Sequence, residues 1–226
     1  MKNQTNETQH YDPVKRHNAY LRRKDKIRQE SRRWNDAHPD RKRANTKANR
    51  IKRRLKCIDA YGGKCMRCGN NIYEFMTIDH VNGGGSKHIK SLGGNGTGFY
   101  SWLIQNKFPN GYQTLCYNCN CAKSSYGMCP HVGRIHRPID RHRRRRIFCI
   151  NYYGGKCACC GESTIEFLTI DHPLKDGAAH RKITGSGSSF YSWLQRNNYP
   201  SGFRVLCRNC NSADGLYGRC PHESWK

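Results

Sequence analysis

Residues 64–80 read KCMRCGNNIYEFMTIDH, and residues 156–172 read KCACCGESTIEFLTIDH, the same pattern 92 positions later. The likeness extends outward on both sides. CIDAYGG (57–63) leads into the first stretch and CINYYGG (149–155) into the second. Downstream, FYSWL at 99–103 returns at 190–194, LCYNCN at 115–120 returns as LCRNCN at 206–211, and YGMCPH at 126–131 returns as YGRCPH at 217–222. From Phe99/Phe190 onward the offset is 91, so one residue is lost in the loop before them. One module is therefore present twice, and the two copies show which positions were duplicated together and which have drifted.

The composition says what kind of module this is. The chain has 226 residues, 41 Lys/Arg against 16 Asp/Glu, a net charge of +25 and only 35% hydrophobic residues. Such a chain does not build one large core, so small stapled units are expected. No apolar run reaches the roughly 18 residues that a membrane span needs, and MKNQTNETQHYDPVKRHN at the start lacks the apolar stretch of a secretory signal. Fourteen cysteines in such a chain point to a reducing, cytoplasmic setting and to metal ligands rather than disulfides. The charge calls for a polyanion, with DNA as the expected partner and no membrane role.

That charge is concentrated outside the modules. Residues 1–56 carry a net +13 and residues 132–148 a net +6, whereas each module is only +3. This gives a basic helical DNA-binding arm (1–56), a first module (57–131), an Arg-rich helical linker (132–148) and a second module (149–226). The first 12 residues are expected to be disordered. Residues 13–37 read as a helix broken at His38-Pro39-Asp40, and 41–61 as a second, with Ile51, Leu55 and Ile58 as its apolar stripe. The linker repeats that plan, with Pro138 able to start a helix and Ile147 and Ile150 on its apolar edge. Arg53, Arg54 and the run Arg143, Arg144, Arg145 and Arg146 are the expected phosphate contacts.

Cys65-x2-Cys68 and Cys116-x2-Cys119 are separated by 47 residues, Cys157-x2-Cys160 and Cys207-x2-Cys210 by 46. Each C-x-x-C places two thiolates on one turn, and two such pairs complete a tetrahedral, structural zinc site. Cys57, Cys129 and His131, with Cys149, Cys220 and His222, are weaker candidates for half of a second metal site. No fourth ligand is evident there, and Cys121 and Cys159, unduplicated, read as incidental. Phe99, Trp102 and Leu103 (Phe190, Trp193, Leu194) share a helical face and read as core.

Glu74 to Ile78 suit a strand, which puts Asp79-His80, and likewise Asp171-His172, at a strand end. Asn120 and Asn211 follow the last cysteine of each set and begin a helix. This combination, a zinc knuckle, a strand ending in Asp-His and then Leu-Cys-x-x-Cys-Asn, resembles the phage recombination endonuclease VII family of HNH, or His-Me finger, nucleases. The resemblance covers both modules but not the basic arm. It implies an α+β chain of two tandem zinc-stapled ββα-metal modules. It further implies that His80 and His172 act as general bases on a phosphodiester. Asp79 and Asn120, and Asp171 and Asn211, would hold a catalytic Mg2+, and branched DNA would be the substrate class. An imidazole suits proton abstraction near neutral pH, and a hard cation suits oxygen ligands. The segment after Asp-His is longer than the family's. It is glycine-rich (NGGGSKH) in the first copy and PLKDGAAH in the second; its His88 and His180 could contact phosphate or metal but read more readily as surface histidines in a flexible loop, and Pro173 alters the second copy. Asp214 stands where the first copy has Lys123, which makes the second module the expected one to have lost activity, if either has.

Two functions fit: a Mg2+-dependent DNA endonuclease, or a zinc-stapled nucleic-acid-binding protein without catalysis. Both predict that affinity for duplex DNA, read by fluorescence anisotropy, falls steeply between about 50 and 200 mM salt. A flat response would remove the phosphate-binding role of the basic segments.

Overall fold

The computed structural model describes residues 12–94, 96–135 and 138–222. The expectation of disorder for the first 12 residues therefore falls, for residues 1–11, outside the described residues. The chain divides into two compact units, 1–52 and 53–226, and both cysteine modules lie in the second. Among the described residues no helix is long and apolar enough to cross a membrane.

The arm is helical, as its sequence predicts. Helix α1 (Pro13–Ala37) opens at a proline behind Asp12, whose carboxylate accepts the Val14 and Lys15 amides at 3.0 and 3.1 Å, an N-cap. It buries no residue. It ends at His38, whose ring stacks on Trp34 with centroids 4.6 Å apart. Helix α2 (Pro39–Ala60) follows, and its residues from Arg53 onward belong to the second unit.

The first module continues with a 3-10 turn (Tyr73–Phe75), β1 (Met76–His80), α3 (Gly85–Ser91), α4 (Gly96–Gln105), β2 (Tyr112–Cys116) and α5 (Tyr117–Tyr126). The second is introduced by α6 (Arg141–Tyr152) and repeats the order: a 3-10 turn (Ile165–Phe167), β3 (Leu168–Asp171), α7 (Gly177–Thr184), α8 (Ser188–Arg196), β4 (Arg204–Cys207) and α9 (Arg208–Tyr217). The protein is thus mixed α+β. Each module holds one antiparallel strand pair, with Asp79 opposite Gln113 and Asp171 opposite Arg204. Helices α3 and α7 occupy the segments expected to be loop. Helix α6 begins three residues after Pro138, with the Asp140 carboxylate capping the Arg143 amide at 2.8 Å.

Each core is small and duplicated residue for residue. Ile58, Phe75, Met76, Phe99, Leu103 and Leu115 are buried in one module; Ile150, Phe167, Leu168, Phe190, Leu194 and Leu206 are buried in the other. The expected stripe on α2 is rotated. Its buried edge is Arg54, Cys57 and Ile58, while Ile51 and Leu55 are only half-buried. The cause is Arg54, which is turned inward. It donates to the Met76 carbonyl and the Tyr217 hydroxyl, and to the Glu74 carbonyl at 3.3 Å. Its counterpart Arg146 donates to the Ile165 and Leu168 carbonyls at 2.8 and 2.6 Å. A two-stranded sheet leaves strand carbonyls without a neighbouring strand, and a buried guanidinium satisfies them.

The sulfurs tie these pieces together. Cys116 ends β2 and its Sγ accepts the Cys119 amide at 3.5 Å at the start of α5; Cys207 does the same for Cys210 at 3.4 Å. Cys65 and Cys68, and Cys157 and Cys160, approach from a knuckle closed by Gly69 and Gly161, both at positive φ. Cys68 and Cys116 sulfurs lie 3.8 Å apart, and Cys160 and Cys207 sulfurs 3.9 Å. Four thiolates around one zinc at about 2.3 Å have edges of about 3.8 Å, so both expected clusters fit that ion.

The modules pack on each other reciprocally. The Asn118 amide N–H donates to Asn209 Oδ1 and the Asn209 amide N–H to Asn118 Oδ1, both at 2.9 Å and both buried. His131 stacks on Phe167, and His222 packs on Phe75, each with centroids 5.1 Å apart. Such mutual exchange is the signature of an isologous, two-fold contact. Asn118→Ala leaves a buried helix-terminal N–H without its acceptor, at a cost of about 1–3 kcal/mol. Chemical denaturation should show a correspondingly lower midpoint, and an unchanged midpoint would mean the pair carries no net stability.

Candidate functional site

Strand alternation sends neighbouring side chains to opposite faces, so Asp79 and His80 at the end of β1 look in different directions. Asp79 faces α5. Lys123 Nζ lies 2.5 Å from its Oδ2, and Gln113 Nε2, opposite it in the register, donates at 2.8 Å. The same ammonium donates to the His80 and Val81 carbonyls at 2.9 and 3.0 Å. Three oxygens thus surround one protein cation. In the second module the partners exchange places. Arg204 stands for Gln113 and Asp214 for Lys123. Arg204 Nε meets Asp171 Oδ2 at 2.7 Å, Nη2 lies 3.8 Å from Asp214 Oδ2, and Lys175 reaches Asp214 at 3.3 Å. Each duplicated aspartate is neutralised, from a helix in one copy and from a strand in the other.

Asn120 and Asn211 sit half-buried in the first turns of α5 and α9. What meets Asp79 is Lys123, one turn further along the helix, and what meets Asp171 is Arg204. Among the described contacts, Asp79 is paired with Lys123 and Gln113, and none joins it to Asn120. The Lys123/Asp214 difference places an ammonium beside the aspartate of the first module and a second carboxylate near that of the second.

The other face holds an imidazole pair. His80 Nε2 is 2.9 Å from His88 Nδ1, and His172 Nε2 is 2.8 Å from His180 Nδ1. His88 and His180 are not loop histidines; they belong to α3 and α7. Aromatic rings hold both members. His80 stacks on Phe99 at 5.0 Å, His88 meets Trp102 edge-on at 4.6 Å and His180 meets Trp193 at 4.4 Å. Phe99 and Leu103 are core, as expected, while Trp102 braces the histidine. The remaining nitrogen faces a glycine. A Cβ on Gly85 would come within 2.9 Å of His80 Nδ1, and one on Gly177 within 3.0 Å of His172 Nδ1. When Nε2 donates to the neighbouring ring, Nδ1 carries the lone pair, and only a glycine can approach it this closely. Burial, followed by the charge of the adjacent histidine, pulls the His80 and His172 pKa values below the ordinary 6.5. Both rings are therefore neutral, and competent as bases, at pH 7.

His172 opens onto a cleft of about 500 Å³ that is also lined by His142, Arg143, Arg146, Arg181 and Arg208. The expected phosphate contacts are distributed differently from a continuous basic face. Four consecutive residues encircle a helix turn and cannot share one side. Arg143 pairs with Glu166 at 2.9 Å, Arg145 binds Ser192 and Gln195 at 2.7 and 3.0 Å, and Arg146 is turned to the carbonyls. Arg144 is exposed, Arg53 is exposed with Nη1 3.2 Å from Ser101 Oγ, and Arg54 is buried.

Cys57 and Cys149 do not join the other cysteines. Their thiols lie 3.6 and 3.7 Å from the Tyr100 and Tyr191 carbonyls, and burial pushes the Cys57 thiol up to about 11. Cys129 and His131 instead meet Cys119, and Cys220 and His222 meet Cys210 together with Cys159. Cys159 is therefore not incidental, whereas Cys121 stands in no such group among the described residues. Compared with protein-family models, curated proteins and solved structures, the chain matches none.

The depressed histidines make a signed prediction. Between the folded and unfolded pKa values the unfolded chain binds more protons, so this contribution to stability is present above 6.5 and declines as the pH falls below it. In His88→Ala the neighbouring charge is gone, and the His80 pKa read by NMR titration should rise toward 6.5. A downward shift or none would mean that His88 exerts no such influence.

Proposed function

We propose that the chain is a divalent-cation-dependent DNA endonuclease of the His-Me finger kind, with its principal cutting centre in the second module. The observation that supports this most is His172. It is an imidazole whose pKa is pulled below the ordinary value, oriented through Nε2 by His180, approached closely at Nδ1 by Gly177, and placed on a cleft whose walls include four arginines. A strand pair running directly into a helix, clamped by four sulfurs, is the frame that the sequence resemblance implies.

The second module also fits the metal better. Asp171 and Asp214 offer two hard oxygen donors on either side of Arg204, with Asn211 on the same helix as Asp214, the ligand types Mg2+ prefers. When bound, such an ion draws charge from the scissile phosphate and its leaving oxygen. In both modules a divalent ion would have to displace a protein cation, Lys123 at 2.5 Å from Asp79 and Arg204 at 2.7 Å from Asp171, but only the second module offers it a second carboxylate. His172 Nδ1 takes the proton of the attacking water while His180 keeps the ring in place. Arg181 and Arg208 on the cleft wall supply the forked donors that phosphate oxygens accept. The basic arm and Arg144 add sequence-independent attraction to the backbone. Duplex, nicked and branched DNA are all within this class, with branched DNA suggested by the resemblance alone.

The second reading, a binder without catalysis, is favoured by the Lys123–Asp79 pair, which suits a module that only holds DNA. Supercoiled, nicked and four-way DNA incubated with Mg2+ or with chelator distinguish the two. The wild type should cut only with Mg2+. His172→Ala should slow cleavage about 10²–10⁴-fold at unchanged DNA affinity, and His80→Ala should have the smaller effect. A larger loss in His80→Ala would move the cutting centre to the first module. Binding without cleavage of any form would leave the non-catalytic reading.

A further inference from the structure

We infer that the second module holds two adjacent zinc ions that share the Cys210 thiolate, and that the first module is built to retain only one. The donor atoms of Cys159, Cys210, Cys220 and His222 all lie within 4.8 Å of one another, and Cys210 is at the same time a member of the Cys157, Cys160, Cys207, Cys210 cluster. His222 Nδ1 is 3.3 Å from the Cys210 sulfur and 3.6 Å from that of Cys220. A tetrahedral zinc with Zn–S of about 2.3 Å and Zn–N of about 2.0 Å has sulfur–nitrogen edges of about 3.5 Å. Three thiolates and an imidazole are a complete structural zinc set, and their softness disfavours Mg2+ or Ca2+.

The chain geometry explains why these donors converge. Cys210 lies in the first turn of α9, and the helix ends at Gly218, in the left-handed region, which turns the chain back so that Cys220-Pro221-His222 returns to that turn. Cys159 sits inside the knuckle between Cys157 and Cys160, on the same side. Cys159, Cys210 and Cys220 also line a cavity of about 80 Å³ with Arg204 and Asp214. The second ion would therefore lie directly behind the side chains that partner Asp171.

The first module duplicates all of this except one donor. Cys129 and His131 return to Cys119, with His131 Nδ1 3.3 Å from both sulfurs. The counterpart of Cys159 is the exposed Arg67. Three donors leave a coordination position to solvent, and an ion held that way exchanges far more readily than one in a closed shell.

Metal analysis tests this without reference to nuclease activity. Full-length protein purified under reducing conditions with zinc, then dialysed against a moderate chelator, should retain three zinc ions per chain by mass spectrometry. Cys159→Ser and Cys159→Arg should each retain two, and Arg67→Cys should raise the wild-type value to four. In cadmium-113-substituted protein the Cys210 β-protons should couple to two cadmium resonances. Two ions in the wild type with no change in Cys159→Ser would overturn the inference. So would an intact mass and thiol count showing a Cys159–Cys220 disulfide in the reduced preparation. Because Arg67→Cys is a gain, misfolding of the loss variants cannot imitate the expected pattern.

Discussion

Everything in each module depends on where four sulfurs meet. Cys116 and Cys207 close a strand and cap a helix in the same residue, and Cys119 and Cys210 lie in the first turn of that helix. The knuckle cysteines reach the same point from the other side of the strand pair. A metal ion bound at that point would fix the direction of the helix relative to the sheet. That direction carries Lys123 to Asp79 in one copy and places Asp214 beside Arg204 in the other. With cores as small as Ile58, Phe75, Met76, Phe99, Leu103 and Leu115, apolar burial alone is a weak guarantee of such placement.

Duplication made a second constraint available. Two copies of one surface can satisfy each other, and here the helix starts do so through crossed asparagine bonds. The crossed histidine–phenylalanine contacts then link the two cysteine clusters, since His131 and His222, each beside cysteine sulfurs, lean on the opposite module's 3-10 turn. Loss of either metal cluster would therefore be felt across the contact.

The copies also show how a site drifts while its aspartate keeps a cationic partner. Gln113 and Lys123 in one are Arg204 and Asp214 in the other, so a cation beside the duplicated aspartate moved from helix to strand. A carboxylate this shielded from water needs such a partner. The exchange leaves the imidazole pair untouched, because strand alternation puts it on the opposite face. The two faces were thereby free to change separately.

Much of this was legible in one dimension. The repeat, the two C-x-x-C pairs per copy, the basic helices and the Asp-His at a strand end are local or periodic signals, and the described structure follows them to within a few residues. What the order of residues left open was everything that depends on which side chains meet across distance. Arg54 reads as one more surface arginine until a strand without a neighbour supplies carbonyls for it. His88 and His180 lie in glycine-rich stretches that conceal short helices, and they acquire a role only when they meet His80 and His172. Cys159 looks unpaired because its companions lie about fifty and sixty residues later along the chain. Spacing determines which residues share a turn or a face, whereas the folding of the strand pair against its helix decides which turns come together.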